Sequence, residues 1–349
     1  MKLPDSLKVI TDFSFSELEA AFAAQGGPAY RAHQVWEAIY TSLVSDFQSI
    51  TNLPVDLRQS LATNFSFTGI TPITELSSAD GQTTKVLFET NDGKSLETVL
   101  MRYNERNTLC ISTQSGCAMG CSFCATGQMG FFRSLSPGEI VSQVLFFSRK
   151  LQLEGKKVTN LVFMGMGEPF HNYEATMNAT STLGDVRGYN MGARRMTIST
   201  VGIVPQIIRF ADENSQINLA VSLHSMDNKI RSSMMPVNNK YPVEDLLEAC
   251  TYYVKKTNRR ISFEWALIDN VNDSSSAAHE LAKRINSLLC HVNLIQLNPT
   301  NQFTGQGSSW DKAMKFKEIL DSHGVPCSIR LRRGIDINAG CGQLASAPR

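Results

Sequence analysis

Three cysteines fall within eight positions of one short loop, in the segment SGCAMGCSFCATG at residues 115–127. They are Cys117, Cys121 and Cys124, with the spacing C-x3-C-x2-C. Thiols at this density can form disulfides, ligate a structural zinc ion, or ligate an iron–sulfur cluster that keeps one iron free of protein ligands. These three kinds of site make different demands on the rest of the chain.

The surrounding residues favour the iron–sulfur cluster. A closed structural zinc site needs four ligands, and no fourth cysteine or histidine follows at zinc-finger spacing. Cys110 lies seven residues upstream, at the opposite end of an expected strand, and we expect it to point away from the loop. Glycines at positions 116, 120 and 127 allow backbone amides to approach the cluster sulfides. An iron without a protein ligand can bind the amino and carboxylate groups of a small molecule.

Polar and glycine-rich segments follow four further apolar runs of the chain. They contain Gly167 with Glu168, Ser199, Ser222 with Leu223 and His224, and Asn298. The carboxyl ends of parallel strands meet at one rim, where α/β enzymes build their sites, so we expect these segments to lie beside the cysteine loop. Five loops that converge on one rim indicate an enzyme.

The strands and helices that position these loops follow from an alternating pattern. From about residue 109, seven apolar runs alternate with amphipathic segments, the clearest of which begins with a capping box of Ser136 and Glu139. About six repeats predict a parallel sheet with right-handed crossovers, either open or closed into a barrel. The first 65 or so residues predict short helices, and two alternating runs around residues 91–93 predict a β-hairpin.

The composition is that of an ordinary globular protein, with 349 residues, 42% hydrophobic and 19% charged. The N-terminal sequence lacks the apolar stretch of a signal peptide, and no segment reaches membrane-spanning length, so we expect a cytoplasmic protein with no membrane partner. Eight cysteines in a reducing compartment are then expected to be free thiols, ligands or catalytic groups. With a net charge of +1, a nucleic-acid-binding face must concentrate its positive charge locally.

Several motifs, in order, resemble the RlmN/Cfr family of radical S-adenosylmethionine (SAM) rRNA methyltransferases. They are the cysteine loop with Phe123 before its last cysteine, FMGMGEPFHN, TISTVGIVP, VSLHSMDNKIRSSMMPVN and GIDINAGCGQL. The resemblance covers nearly the whole chain and is closest to the RlmN branch, which methylates adenine C2, whereas Cfr methylates C8 and confers antibiotic resistance. It implies an α/β fold with a partial (β/α)6 radical SAM barrel at 106–335. An N-terminal helical RNA-docking domain at 1–65 and a β-hairpin linker at 66–105 precede the barrel, and a tail at 336–349 follows it.

The same resemblance implies a role for each candidate residue. The implied cluster ligands are Cys117, Cys121 and Cys124, the implied SAM contacts are Gly167, Glu168, Ser199, Ser222, Leu223, His224 and Asn298, and the implied catalytic residues are Cys341, Cys110 and Glu97. By pattern alone, Glu97 is typical of a solvent-facing strand residue and Cys110 of a buried strand residue. Glycines at positions 340 and 342 flank Cys341 and allow its loop to approach a site closely.

The implied mechanism accounts for the low reactivity of the target carbon towards ordinary methyl transfer. Adenine C2 is an electron-poor carbon without a nucleophilic lone pair, so ordinary methyl transfer from a sulfonium does not reach it. In the family, a first SAM methylates Cys341, and a second SAM, reduced at a [4Fe-4S] cluster, yields a 5′-deoxyadenosyl radical that activates the S-methyl group for addition to the base. Cys110 helps to remove the ring proton and resolves the adduct through a transient disulfide with Cys341. Two SAM molecules are thus implied per turnover.

The implied partners are an RNA and a reductant. The implied RNA is 23S rRNA at its peptidyl-transferase centre, and the tRNA anticodon loop is a possible second target. The implied reductant is an electron donor such as flavodoxin. We expect the protein to be a monomer. Candidate phosphate contacts are the basic pairs at 156–157, 194–195 and 259–260 and the group Arg330, Arg332 and Arg333.

Two other classes stay open on the residues alone. A glycyl-radical activating enzyme shares the cluster loop but has no need for the pair of Cys110 and Cys341. A zinc-stabilised RNA-binding module leaves the convergent rim loops unexplained.

Overall fold

The computed structural model describes residues 7–24, 27–300 and 302–345. The strands are β1 Lys8–Val9, β2 Phe65–Ser66, β3 Ile70–Ser77, β4 Thr83–Thr90, β5 Ser95–Arg102, β6 Asn107–Cys110, β7 Gln114–Gly116, β8 Phe131–Ser134, β9 Asn160–Phe163, β10 Met196–Thr200, β11 Asn218–Ser222, β12 Ile261–Leu267, β13 Cys290–Gln296 and β14 Cys327–Ile329. The helices are α1 Phe15–Ala24, α2 Tyr30–Tyr40, α3 Val55–Asn64, α4 Ala125–Gln128, α5 Pro137–Gln152, α6 Tyr173–Gly184, α7 Val204–Asp212, α8 Asn228–Met234, α9 Val243–Thr257, α10 Ser275–Ile285 and α11 Trp310–Ser322. No helix in the described ranges is long and apolar enough to cross a lipid bilayer.

One ten-stranded sheet runs through the molecule, in the order β14-β13-β12-β11-β10-β9-β6-β5-β4-β3. The first seven strands of this order are mutually parallel, and each crossover between them contains at least one helix. The sheet stays open, because β14 and β3 lie at its two edges. The predicted (β/α)6 arrangement is therefore confirmed as a partial barrel.

The predicted hairpin is formed by β4 and β5, which pair antiparallel across the turn at residues 91–93. The sequence pattern did not indicate β3, because seven of its eight residues are exposed or nearly so and Pro72 interrupts it, as is typical of an edge strand. In addition, β5 pairs with β6, so that Val99 lies opposite Cys110. The hairpin thus extends the barrel sheet, and the division of the chain into domains stays a prediction.

The N-terminal helices are fixed against the barrel through α5. This helix begins at the predicted capping box, in which the Glu139 amide donates to Ser136 Oγ at 3.1 Å and the Ser136 amide donates to a Glu139 carboxylate oxygen at 2.9 Å. At the same helix end, the Gly138 amide donates to Asp12 Oδ1 at 2.7 Å. The first turn of α5 is therefore shared between its own cap and the N-terminal region.

The strands alternate between the apolar core and the inner face of the partial barrel. On β12, Phe263, Trp265 and Leu267 are buried in the core shared with the helices. Glu264 and Ala266, which alternate with these three residues along the strand, face a cavity at the carboxyl ends of the strands. The two-residue period of a strand thus puts packing residues outward and site residues inward.

Candidate active site

An open cavity of about 900 Å³, a volume that includes the solvent at its mouth, lies at the carboxyl ends of the parallel strands. Its lining includes Cys121, Phe123, Cys124, Gly167, Glu168, Ser199, Ser222, His224, Glu264, Asn298 and Cys341. The structure thus brings the five predicted rim segments together and adds the C-terminal tail as a sixth.

The cysteine loop folds tightly around its glycines. Gly116 and Gly120 have φ of +71° and +63°, and a Cβ on Gly127 would lie 2.8 Å from the carbonyl oxygen of Cys121. Burial raises the pKa of the Cys117 thiol to about 12 and that of Cys121 well above its ordinary value. Charges on the other loop thiols raise both pKa values further, so the three sulfurs share one site.

The three thiols suit a cluster better than a single ion. Within the described part of the chain, no three side chains of His, Cys, Asp or Glu converge as one metal ion requires. A cubane cluster takes one thiolate at each of several irons, so its ligands stand apart from one another. Its cationic irons would also favour the thiolate forms that burial disfavours. Cys117, Cys121 and Cys124 therefore fit a [4Fe-4S] cluster and would hold it.

Glu168 is a buried carboxylate at the cavity wall. Its backbone position requires Gly167, which has φ of +98° and whose Cβ would lie 2.5 Å from Gln114 Cβ. The amides of Phe170 and Val201 donate to its two oxygens at 2.9 and 2.8 Å. Burial nevertheless raises the pKa of Glu168 to about 7. A carboxylate in this setting suits a cationic ligand group such as an ammonium.

His224 is held as a neutral imidazole. Its Nδ1 accepts a hydrogen bond from the Ala266 amide at 2.9 Å, and its backbone has φ of +59°. Burial, followed by the charge of Arg231, lowers the pKa of His224 to about 3. The ring meets the edge of Phe123 with centroids 5.0 Å apart. The fold thus fixes both the tautomer and the orientation of this ring.

Arg231 joins the ends of two rim strands. It is fully buried on α8 and donates to the carbonyl oxygens of Val201, Ser222 and Leu223 at 2.7 to 3.1 Å. Nothing in the sequence separates it from an ordinary solvated helix arginine.

The other residue that the sequence pattern did not indicate is Glu264, whose only signal is an acidic residue inside the apolar run ISFEWAL.

The C-terminal tail closes onto the site at Cys341. Asn298 Nδ2 donates to the Cys341 carbonyl oxygen at 3.1 Å, and the Ala125 amide donates to that of Gly342 at 2.7 Å. A Cβ on Gly340 would lie 2.6 Å from Asn298 Nδ2. The flanking glycines therefore permit the close approach that the sequence predicted.

Cys341 and Cys110 are free thiols that interact electrostatically. The residue Cys341 is exposed as a whole, but its thiol is surrounded closely enough that burial raises its pKa, opposed by the guanidinium of Arg330. Cys110 ends β6, and burial, followed by the charge of Cys341, raises its pKa to about 12. The charge of Arg330 favours the thiolate of each, whereas the charge of Glu264 disfavours the thiolate of Cys341.

Glu97 lies behind the tail, and the expectation of a solvent-facing strand residue is wrong. It is 4% exposed and pairs with Lys85 Nζ at 3.0 Å. Its Oε2 accepts from the Ala345 amide at 3.0 Å, and Lys85 Nζ donates to the Asn338 carbonyl oxygen at 3.1 Å. Strand alternation alone does not reveal that a distant segment covers this face of β5. Glu97 is not among the residues that line the cavity.

The candidate phosphate contacts do not gather at the cavity mouth. The pairs at 156–157, 194–195 and 259–260 precede β9, β10 and β12, at the amino ends of the strands and thus on the opposite rim. Arg330 Nη2 lies 3.4 Å from Glu264 Oε1, and Arg332 Nε donates to Asn298 Oδ1 at 3.1 Å. Arg330 and Arg332 thus contact site residues although Arg332 is exposed, and their role as phosphate contacts stays a prediction.

Comparison with known proteins covers both the helical N-terminus and the barrel. A Radical SAM superfamily profile matches residues 111–282, and a profile of the ribosomal RNA large subunit methyltransferase N-terminal domain matches residues 9–66. The chain is 44% identical over 349 residues to a probable dual-specificity RNA methyltransferase RlmN of Chloroflexus aurantiacus, covering 97% of this chain and 93% of that protein. It is 44% identical over 340 residues to the dual-specificity RNA methyltransferase RlmN 1 of Myxococcus xanthus, covering 97% and 95%.

A solved structure agrees with these relatives. The crystal structure of a radical SAM methyltransferase from Sphaerobacter thermophilus has a TM-score of 0.95 to this chain at 49% identity, covering 97% of this chain and 99% of that one. The similarity thus covers nearly the whole chain, including the barrel and the N-terminal helices. The chain belongs to the RlmN family of radical SAM RNA methyltransferases.

Proposed function

We propose that this protein methylates C2 of an adenosine in the peptidyl-transferase centre of 23S rRNA, and also an adenosine in the tRNA anticodon loop. The main support is that Cys341, Cys121, Cys124 and six of the seven rim residues that match SAM contacts line one cavity; the exception is Leu223, which is fully buried. The words "dual-specificity" in the names of two relatives support two RNA substrates. The N-terminal profile supports ribosomal RNA as one of them.

The cysteine loop is the proposed binding site of the cluster, and the rim residues are the proposed binding site of SAM. When bound at Cys117, Cys121 and Cys124, the [4Fe-4S] cluster supplies the electron for reductive cleavage of SAM. Glu168 holds the ammonium of SAM by charge. The remaining proposed SAM contacts are Gly167, Ser199, Ser222, Leu223, His224 and Asn298. The neutral ring of His224 offers an Nε2–H donor without adding positive charge next to a sulfonium.

Cys341 is the proposed methyl acceptor. Its sulfur forms a bond to the methyl carbon as the bond from that carbon to the sulfonium sulfur breaks, and the product is a neutral thioether. Arg330 favours the thiolate that this step needs, and the positive sulfonium acts in the same direction. The contacts from Asn298 and Ala125 hold the backbone around Cys341, so the thiol is kept at the cavity.

Cys110 is the proposed partner of Cys341 after the new carbon–carbon bond has formed. We assign it the removal of the ring proton and then attack on the Cys341 sulfur. The disulfide forms as the bond from that sulfur to the transferred carbon breaks, the carbon keeps the electron pair and takes up a proton, and the supplied reductant restores the two thiols. The electrostatic interaction of the two thiols supports this pairing. Glu97 stays a second candidate for the proton acceptor, although its oxygens already accept from Lys85 and the Ala345 amide.

The test is an analysis of methylated adenosines by liquid chromatography and mass spectrometry. Protein reconstituted anaerobically with iron and sulfide is given reductant, SAM and protein-free large-subunit rRNA or tRNA. We expect 2-methyladenosine, with one S-adenosylhomocysteine and one 5′-deoxyadenosine per methyl group. The product should disappear in Cys341→Ala and persist in Cys327→Ala, which changes a cysteine at the start of β14, away from the cavity.

The other outcomes point elsewhere. 8-Methyladenosine would place the protein in the Cfr-type branch with the same thiol chemistry. SAM cleavage without RNA methylation would contradict the proposal and favour a glycyl-radical activating enzyme.

A further inference from the structure

Glu264 is a buried carboxylate with one oxygen that no donor reaches. It projects from β12 into the cavity and is 4% exposed. Its Oε1 accepts from Asn293 Nδ2 at 2.8 Å and lies 3.4 Å from Arg330 Nη2. Its Oε2 is buried, and within the described part of the chain it has no hydrogen-bond partner. A buried acceptor without a donor is unfavourable, so the fold maintains this oxygen for a group that arrives from outside.

The position of Glu264 along the rim indicates which ligand supplies that donor. In the sheet register, Ser222 lies opposite Glu264 on one side and Asn293 on the other. Glu168 follows β9, and two strands, β10 and β11, separate β9 from β12. An elongated ligand whose ammonium lies at Glu168 can therefore extend towards β12, with the groups that follow its amino-acid end nearer to Glu264.

The chemistry of Oε2 narrows the ligand group further. Burial raises the pKa of Glu264, whereas the charge of Arg330 and the hydrogen bond from Asn293 favour its ionised form. In that form the carboxylate only accepts hydrogen bonds, so the ligand group is an O–H or N–H. Arg330 and Asn293 already lie at the other oxygen, so a neutral donor suffices and no second cation is needed. Acidic side chains bind ribose hydroxyls in this way in nucleotide-binding folds.

We propose that Glu264 is a ligand-binding residue whose Oε2 accepts a hydrogen bond from a ribose hydroxyl of SAM. This rests on the proposed function, since it takes SAM as the ligand of the cavity. Asn293 and Arg330 are positioning residues, because they hold the carboxylate through Oε1 and leave Oε2 without a partner of its own among the described residues.

The experiment measures binding without RNA and without turnover. The probe is S-adenosylhomocysteine, which has the same amino-acid and nucleoside ends as SAM and is not reductively cleaved, together with its 2′-deoxy and 3′-deoxy analogues. Dissociation constants are measured by calorimetry on the cluster-loaded protein and on Glu264→Gln. A hydrogen bond to a charged group corresponds to about ten- to a hundredfold in affinity.

We expect the wild-type protein to bind at least one deoxy analogue about ten- to a hundredfold more weakly than the parent. Glu264→Gln should bind the parent more weakly and show a much smaller further loss with the same analogue. Equal binding of all three probes by the wild type would overturn the proposal, and so would an undiminished loss in Glu264→Gln. If Glu264→Gln does not fold, Glu264→Asp replaces it, because it keeps the charge and withdraws the oxygens by one methylene.

The RNA assay separates this proposal from the proposed function. If Glu264→Gln binds all three probes like the wild type yet loses RNA methylation, the donor belongs to the target adenosine and the SAM assignment is wrong. If the binding pattern is as expected but the wild type methylates no RNA, the proposed function fails while the ribose contact stands.

Discussion

The buried pair of Lys85 and Glu97 should hold in place the C-terminal tail, which contains the proposed methyl acceptor. Their side chains are 10% and 5% exposed, and together they bind both ends of the segment from Asn338 to Ala345, which contains Cys341. Lys85→Met removes the charge and the bond to the Asn338 carbonyl, and leaves the Glu97 carboxylate buried without its cation. Removing one partner of a buried pair costs about 3–5 kcal/mol.

Two measurements test this value. Urea unfolding gives the global loss, and hydrogen exchange followed by mass spectrometry reports local opening of the tail, where the Ala345 amide is bonded to Glu97. The matched control is Lys150→Met, because Lys150 pairs with Glu75 at the surface with side chains 34% and 38% exposed. An exposed pair is worth about 0.2–1 kcal/mol.

The double variant Lys85→Met with Glu97→Gln separates charge from packing. It removes the uncompensated carboxylate but keeps an amide oxygen that can accept from Ala345, so it should be more stable than Lys85→Met alone. The prediction fails if Lys85→Met loses no more stability than Lys150→Met and hydrogen exchange in the tail is unchanged. In that case the pair of Lys85 and Glu97 contributes as little as an exposed pair, and other contacts hold the tail.

Three further results are expected. Gly167→Ala should lose about 1–3 kcal/mol in urea unfolding from its positive φ alone, whereas Gly192→Ala, with open space around it and an ordinary φ, should change stability by less than about 1 kcal/mol. Because the pKa of Glu168 is raised to about 7, the charged fraction of this carboxyl group rises between pH 6 and pH 8. Affinity for S-adenosylhomocysteine, measured by calorimetry, should therefore increase about tenfold over that range, and Glu168→Gln should remove this pH dependence. Cys110→Ala should still accept the methyl group on Cys341 but trap a covalent protein–RNA adduct, visible as a shifted band in denaturing electrophoresis; normal release of methylated RNA would refute its resolving role.

The parallel part of the fold was predictable from the sequence because its signals are local. Each of the seven barrel strands is a short apolar run, and the capping box at Ser136 fixes where α5 begins. The edge strand β3 was not predictable, because a solvated strand carries no alternating pattern. Likewise, the pairing of β5 with β6 depends on contacts between distant segments that no local pattern records.

The residues of the site likewise fall into those that the sequence predicted and those that it did not. The cysteine loop and the rim segments were found because their residue types are unusual at strand ends. Glu264 was missed, since one acidic residue in an apolar run does not indicate which face of the strand lines a cavity. Arg330 was assigned to phosphate, whereas the structure directs it to Glu264 and the two thiols.

The location of the two thiols fits the different demands on them. Cys110 ends a strand in the middle of the sheet, where its position is fixed by neighbours on both sides. Cys341 lies on a segment without regular strand or helix, held at its ends by Glu97 and Lys85 and beside the thiol by Asn298. A sulfur that first accepts a methyl group and then presents it to a base has to move between two partners, and a rigid strand would prevent this. Hydrogen bonds from Asn298 Nδ2 and the Ala125 amide hold the backbone of this segment, so in the proposed mechanism the thiol stays at the cavity and moves through rotation of the Cys341 side chain.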